Sequence, residues 1–250
     1  MNISRLKLIT FDVTNTLLKL RSSPGKQYGE IGAIYGVLRD DNKLAENFRK
    51  QWQKMNREYP NFGLRSGLHW SDWWKQVVKG TFADTSYSIE DSKLDHISTH
   101  LIDLYKTSIC WQPCFGAKDL LIYLSKKEGL TIGVISNFDP RCSTALENTK
   151  LREYLKFVLT SYETGYEKPD PRIFEKAMET SGIPDLKPEQ CLHIGDRAMI
   201  DYSGAKSAYW NAILVNDKHP EEIRQKYPYV DLKLIFQNLY DLHVYFKNMK

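Results

Sequence analysis

In this 250-residue chain an acid stands where an apolar run ends. Residues Leu6–Phe11 (LKLITF) read as a buried strand, Asp12 follows at once, and Thr14 lies two residues further on. A carboxylate beside a run that will be buried is costly unless it is paired, so Asp12 is read as a functional group. Three later apolar runs are also followed by polar residues: Ser136 and Asn137 after TIGVIS, Lys168 on the loop beyond FVLT, and Gly195, Asp196 and Asp201 after CLHI. Open parallel sheets bind ligands at the carboxyl ends of their strands. On that edge two or three acids, a hydroxyl and a lysine converge, a set suited to an anionic substrate held with a divalent cation. Carboxylates bind Mg²⁺, and the metal and lysine together offset the charge of a phosphoryl group.

Taken singly, several of these residues have plain structural readings. Ser136 and Asn137 are ordinary turn formers. Lys168 precedes Pro169, which favours an extended backbone, and an exposed lysine is the default there. Asp139-Pro140-Arg141 reads as a helix start, with Asp139 as N-cap and Pro140 at the first helical position. His193 falls inside a strand pattern and reads as a satisfied core histidine. Trp70, Trp73 and Trp74 recur at helical spacing and read as packing. What promotes Ser136 and Lys168 is their register with the other motifs.

The elements that must position these groups alternate. Thr131–Ser136, Phe157–Thr160, Cys191–Ile194 and Asn211–Val215 read as strands, separated by helical patterns near Gly116–Lys127, Arg141–Tyr154, Pro171–Ser181 and Ile200–Ala208. Strand and helix in alternation predict a Rossmann-like α/β core, a parallel sheet flanked by helices and buried on both faces. Between about Lys19 and Trp111 no strand pattern interrupts three helical ones, Asp41–Glu58, Ser71–Phe82 and Ile89–Tyr105. Leu44, Phe48 and Trp52 keep helical spacing, and Ser71 is placed as an N-cap. The organisation expected is therefore a core of residues 1–18 and 112–250 with a helical insert at 19–111.

Composition limits the partners. Apolar residues make up 42% and charged residues 26%, which is a globular balance, and 35 basic against 31 acidic side chains leave a charge of +4. With no basic block, nucleic-acid binding has no footprint. No charged-then-apolar leader opens the chain and no window approaches the ~18 apolar residues of a membrane span. An intracellular, cytoplasmic protein with no membrane association is expected. Four scattered cysteines, Cys110, Cys114, Cys142 and Cys191, suggest reduced thiols and no zinc site.

Four segments in register, FDVTNTL, VISN, EKPDP and GDRAMID, carry a likeness to the haloacid dehalogenase-like hydrolase superfamily. The sequence resembles that superfamily from Leu6 to about Val215, with the insert in the place of its first-type helical cap. A narrower likeness, to the haloacid dehalogenase-like hydrolase domain-containing protein 3 group, rests on SPGKQYGEIGA, YPNFG, YKTSICWQPC and EKPDPRIF. The resemblance implies that Asp12 is a nucleophile that forms an aspartyl-phosphate. It implies that Asp12, Asp196 and the backbone carbonyl of Thr14 hold Mg²⁺, with Asp201 supporting or entering that shell. Ser136 and Asn137 would bind the phosphoryl group, and Lys168 would pair with nucleophile and phosphate. The substrate implied is a small phosphorylated metabolite, read by a cap that closes over the site.

Two departures from the pattern matter. Phosphatases of this superfamily usually carry an acid/base Asp in the slot of Thr14, whose hydroxyl cannot exchange protons usefully near neutral pH. Losing such a group typically forfeits ~10²–10⁴ in rate. The expected activity is thus a slow, Mg²⁺-dependent phosphatase-like hydrolysis, with a phosphate-binding or scaffold protein as the alternative and a dehalogenase-type hydrolase behind it. The second departure is Tyr209, where relatives usually have Gly.

Overall fold

The computed structural model describes residues 5–83 and 88–248. The chain divides into two compact units, Met1–Lys19 with Gln112–Lys250, and Leu20–Trp111. Strands are β1 (Leu8–Phe11), β2 (Leu18–Leu20), β3 (Trp111–Pro113), β4 (Thr131–Ser136), β5 (Phe157–Thr160), β6 (Cys191–Gly195), β7 (Asn211–Val215) and β8 (Ile235–Phe236). Six of them form one parallel sheet in the order β5-β4-β1-β6-β7-β8, and β2 pairs with β3 where the chain leaves and re-enters the larger unit. The four strands expected from the sequence between residues 131 and 215 all stand in that sheet.

Helices are α1 (Pro24–Ile34), α2 (Asp41–Glu58), α3 (Trp70–Phe82), α4 (Asp91–Leu104), α5 (Ala117–Ser125), α6 (Arg141–Asn148), α7 (Ser161–Thr164), α8 (Pro171–Ser181), α9 (Ser203–Ser207), α10 (Pro220–Lys226) and α11 (Leu239–Asn248). One face of the sheet packs its side chains Leu8, Ile135, Leu159, Cys191, Ala212 and Leu214 against Ile173, Phe174, Ala177, Ala205 and Ile223 of α8, α9 and α10. Helices α5, α6 and α11 serve the other face. Every residue of β1 and β6 is buried, the pattern of a central strand covered on both sides. Strand order reverses at β1: the chain builds outward through β4 and β5, then crosses to β6 on the far side. The crevice at that reversal lies at the ends of β1 and β6, where Asp12 and Asp196 begin their loops.

The smaller unit is helical. Tyr28, Ile31, Leu44, Val78, Phe82, Ile97 and Leu101 form its main apolar cluster, and Met55, Trp73 and Val77 a second. Trp73 is fully buried, edge-on to Phe62 and Trp74, so it is packing. Helix α1 is a start that the sequence reading passed over, although Ser23 caps it by accepting the Lys26 N–H and Pro24 occupies its first turn. Its glycines permit a close crossing with α2: a Cβ on Gly25 would lie 2.1 Å from the Asp41 carbonyl oxygen, and one on Gly29 would lie 2.2 Å from the Asp41 carboxylate.

Several boundaries differ from expectation. Helix α3 begins one residue early, and its N-cap is His69, whose Nδ1 accepts from Ser71 N–H at 3.3 Å and pairs with the Ser71 hydroxyl at 2.7 Å. Helix α6 stops at Asn148 because Lys150 takes a left-handed φ of 61°, and a short 3₁₀ turn follows at Arg152–Tyr154. The helix expected over Ile200–Ala208 is a π-turn at Ala198–Tyr202 that runs into α9.

Tyr209 follows α9 with φ 63° and is 83% exposed. Its ring packs little, while its Cβ suffers a left-handed backbone that Gly would adopt without that cost. Tyr209→Gly should therefore stabilise the protein by about 0.5–1 kcal/mol, raising the thermal unfolding midpoint by roughly 2 °C. An unchanged or lower midpoint in calorimetry would contradict this account of the turn.

Candidate active site

Asp12 leaves β1 with its N–H bonded to the Ile194 carbonyl at 2.9 Å, so the carboxylate is anchored to the neighbouring strand. The chain then turns tightly. The N–H groups of Thr16, Leu17 and Leu18 all point at the Val13 carbonyl, and Asn15 adopts φ 59°, a conformation that Asn tolerates. Thr14 sits inside this turn, half-buried.

Asp12 is 8% exposed and accepts two hydrogen bonds on one oxygen, Oδ1: from Ser136 Oγ at 2.9 Å and from Lys168 Nζ at 2.8 Å. Ser136 ends β4, whose register beside β1 delivers it to that point. Lys168 is 2% exposed, which requires charge partners, and it has them: Asp12, and Asp201 Oδ1 at 2.7 Å. Burial alone would push the lysine pKa down, but Asp12 and Asp201 outweigh it and hold the ammonium above its ordinary value.

Asn137 clamps this lysine by its backbone. Its Nδ2 donates to the Lys168 carbonyl at 2.8 Å and its Oδ1 accepts the Lys168 N–H at 2.7 Å. The amide expected to touch phosphate thus has both ends on the peptide that carries Lys168.

Asp201 is 1% exposed, with Oδ1 bound to Lys168 and Oδ2 accepting the Arg197 N–H at 2.9 Å. Burial raises its pKa, yet the Lys168 ammonium and His193 overcome that and hold it well below the usual carboxylate range. Its place depends on Gly195, because a Cβ there would stand 2.2 Å from the Asp201 Cγ. Asp196 lies beside it, half-buried. Burial, then the charges of Asp12 and Asp201, push the Asp196 pKa up to about 7, against the opposing pull of Arg197 and Asn15.

Carboxylate oxygens of Asp12, Asp196 and Asp201 lie within 4.8 Å of one another. Three carboxylates against one lysine leave a local excess of negative charge, which the raised Asp196 registers. The donor set is all oxygen, and it fits a hard divalent cation. Asp201 has both oxygens engaged by protein groups, so it is better placed to hold the cluster in shape than to lead it.

Of the seven residues read from the sequence, Asp12, Ser136, Lys168, Asp196 and Asp201 converge, Asn137 stands behind Lys168, and Thr14 lies in the adjoining turn. His193 was read only as a core histidine. It is buried, but its partners are site residues: Nε2 is 3.2 Å from Asp201 Oδ1 and 3.3 Å from Lys168 Nζ, and Nδ1 is 2.9 Å from Thr10 Oγ1. A signal was available, since two polar residues, Thr10 and His193, occupy otherwise apolar strands in which they prove to be register partners. Helix α6 begins at Arg141 with Pro140 as its N-cap, one residue later than expected, and Asp139 accepts the Arg141 N–H at 3.0 Å from just outside it. Its carboxylate also makes a buried two-pronged pair with the Arg141 guanidinium.

Comparison with known proteins follows the same lines. The family model of the haloacid dehalogenase-like hydrolases matches residues 6–208. The rhythmically expressed gene 2 protein of Drosophila melanogaster is 53% identical over 248 residues, spanning 97% of this chain and 95% of that protein. Haloacid dehalogenase-like hydrolase domain-containing protein 3 of Homo sapiens is 34% identical over 212 residues, spanning 84% and 82%. A solved 2-haloacid dehalogenase from Pseudomonas syringae shares the fold, with a TM-score of 0.65 and 22% identity across 98% of this chain and all of that one. The sheet that reverses at β1, the acids gathered at its edge and a match that runs through both compact units have one common explanation: this chain belongs to the haloacid dehalogenase-like hydrolase family.

Proposed function

We propose that this chain is a Mg²⁺-dependent phosphatase-like hydrolase, acting on a small phosphorylated metabolite through an aspartyl-phosphate on Asp12, and slow because Thr14 occupies the acid/base slot. The observation that carries the reading is the double donation to Asp12 Oδ1 by Ser136 and Lys168, beside carboxylates whose oxygens lie within 4.8 Å. A carboxylate that merely ended a strand would not need a buried ammonium, a hydroxyl and two further acids around it.

Asp12 and Asp196, with the Thr14 carbonyl, would hold the cation, and Asp201 would brace them. Bound there, Mg²⁺ supplies positive charge that offsets the phosphoryl oxygens and the crowded carboxylates. The rest falls to the protein. A carboxylate oxygen of Asp12 attacks phosphorus, an O–P bond forms, and the bond from phosphorus to the ester oxygen breaks. Lys168 balances charge on the transferring group, and Ser136 holds the Asp12 carboxylate in line. The departing oxygen takes its proton from solvent, because Thr14 has none to give at neutral pH. Water then attacks phosphorus, the Asp12–phosphorus bond breaks, and Asp12 is restored with release of phosphate. Good leaving groups, such as aryloxides or the carboxylates of acyl phosphates, are least penalised by that gap.

A second reading has one observation in its favour, which is Thr14 itself. A protein that kept the anion pocket and lost turnover would bind phosphate and Mg²⁺ without product. The carboxylate cluster disfavours carbon-centred dehalogenation, which in this superfamily needs no metal.

Incubation with acetyl phosphate or p-nitrophenyl phosphate, with and without Mg²⁺, should give a covalent phosphate adduct or product that Asp12→Asn lacks; intact mass and phosphate release report it. Binding without adduct or product would overturn the hydrolase reading in favour of the scaffold. Thr14→Asp should raise turnover by roughly 10²-fold, the lower end of what a general acid/base contributes. An unchanged rate would place the defect elsewhere.

Asp196 makes the metal site visible in stability. Its folded value of about 7 lies above the ordinary 3.8. Between those values the folded state binds more protons than the unfolded one, so metal-free stability from this group is greatest at low pH and is lost as pH rises to about 7. Mg²⁺ should add stability at pH 8 and little at pH 5, and Asp196→Asn should flatten both dependences. Melting curves that show the same Mg²⁺ effect in Asp196→Asn would remove Asp196 from the metal site.

A further inference from the structure

The geometry points to His193 as a positioning residue: its Nε2–H fixes the Asp201 carboxylate, its Nδ1 is held by the Thr10 hydroxyl, and together they aim Lys168 at Asp12. The inference rests on counting protons. The Lys168 ammonium has three, and three oxygens claim them: Ile135 carbonyl at 2.5 Å, Asp201 Oδ1 at 2.7 Å and Asp12 Oδ1 at 2.8 Å. The fourth neighbour, His193 Nε2 at 3.3 Å, is farther than all of them and is the weakest claimant on a lysine proton. The nearer partner of Nε2, Asp201 Oδ1 at 3.2 Å, can only accept. This geometry favours the hydrogen on Nε2.

The other side of the ring follows. The Thr10 hydroxyl has a single proton and two acceptors in reach, the Leu192 carbonyl at 3.5 Å and His193 Nδ1 at 2.9 Å. The nearer one takes it, which matches an Nδ1 lone pair. A directed chain results, Thr10 to His193 to Asp201, and it meets Lys168 at the same carboxylate oxygen. Sheet register builds the first link, since Thr10 and His193 are paired residues of β1 and β6. Phe174 stands edge-on to the imidazole at 5.3 Å and limits its rotation. The ring is 1% exposed, so it cannot meet substrate, and its effect must pass through Asp201 and Lys168.

Because this deepens the proposed hydrolase reading, one arm of the test needs no turnover. Long-range ¹H–¹⁵N correlation on the full-length, metal-free protein, with His193 assigned by loss of its signals in His193→Gln, should show the Nε2–H form. An Nδ1–H form would overturn the inference whether or not the protein is active. The second arm uses the isosteric Thr10→Val, with Mg²⁺ and p-nitrophenyl phosphate. We expect kcat to fall by about 10-fold, as for partners that orient a metal or catalytic ligand, with KM changed by less than about 2-fold. Thr10→Ser should return kcat to within about 3-fold of the native value by restoring the donor. Equal kcat in Thr10→Val and the native protein, or a loss that serine does not rescue, would overturn it. A native protein with no turnover would sink the hydrolase reading alone, and the tautomer would still decide this one.

Discussion

Everything at the centre of this protein is arranged around one buried ammonium. Lys168 is almost wholly removed from water, and a cation placed there survives only because two carboxylates and a backbone carbonyl receive its three protons. Removing one partner from such a group typically costs about 3–5 kcal/mol, so stability alone constrains Asp12 and Asp201 strongly. The same constraint serves chemistry. A lysine with every proton engaged and its pKa held up is a fixed positive charge, not a proton donor, and it cannot take over the duty missing at Thr14.

The sheet is what makes that arrangement affordable. Asp12, Ser136, Lys168 and Asp201 come from four separate parts of the chain: Asp12 and Ser136 stand at the ends of paired strands, and Lys168 and Asp201 lie on the connections that follow β5 and β6. Gly195 shows how tight the fit is, since the Asp201 carboxyl occupies the volume a side chain would need. Asn137 adds a second layer by gripping the peptide of Lys168, and His193 a third from within the strand. The chemistry is borne by a few atoms, but their direction is set by backbone.

Much of this was legible in the amino-acid order. Short, nearly continuous apolar runs that alternate with helical patterns fit strands buried on both faces, and a polar residue after such a run is then placed on the same edge. What the order conceals is whatever depends on partners far away in sequence. His193 reads as a core residue because nothing nearby reveals Thr10 beside it or Lys168 in front of it. Ser71 reads as the cap of α3 because serine usually is one, yet the imidazole of His69 takes the bond. The close crossing of α1 and α2 was hidden for a related reason: Gly25 and Gly29 weaken a helical pattern locally, and their value lies in the approach of Asp41, which local pattern cannot show. Asn137 follows a strand as a phosphate-binding residue would, yet the peptide of Lys168, remote in sequence, fills its amide.

The place of β1 in the sheet also has a bearing on how the molecule comes to be. The strand that ends in Asp12 is made first but lies in the middle, flanked by β4 and β6, whose residues follow more than a hundred positions later. Contacts of such long separation close slowly, because loop entropy must be overcome before any pairing rewards it. During synthesis β1 therefore waits with both edges open, and its terminal carboxylate meets its counter-charges only once Lys168 and the β6 loop have emerged. The centre of the site is consequently a late product of assembly, although its first residue is made well before the others.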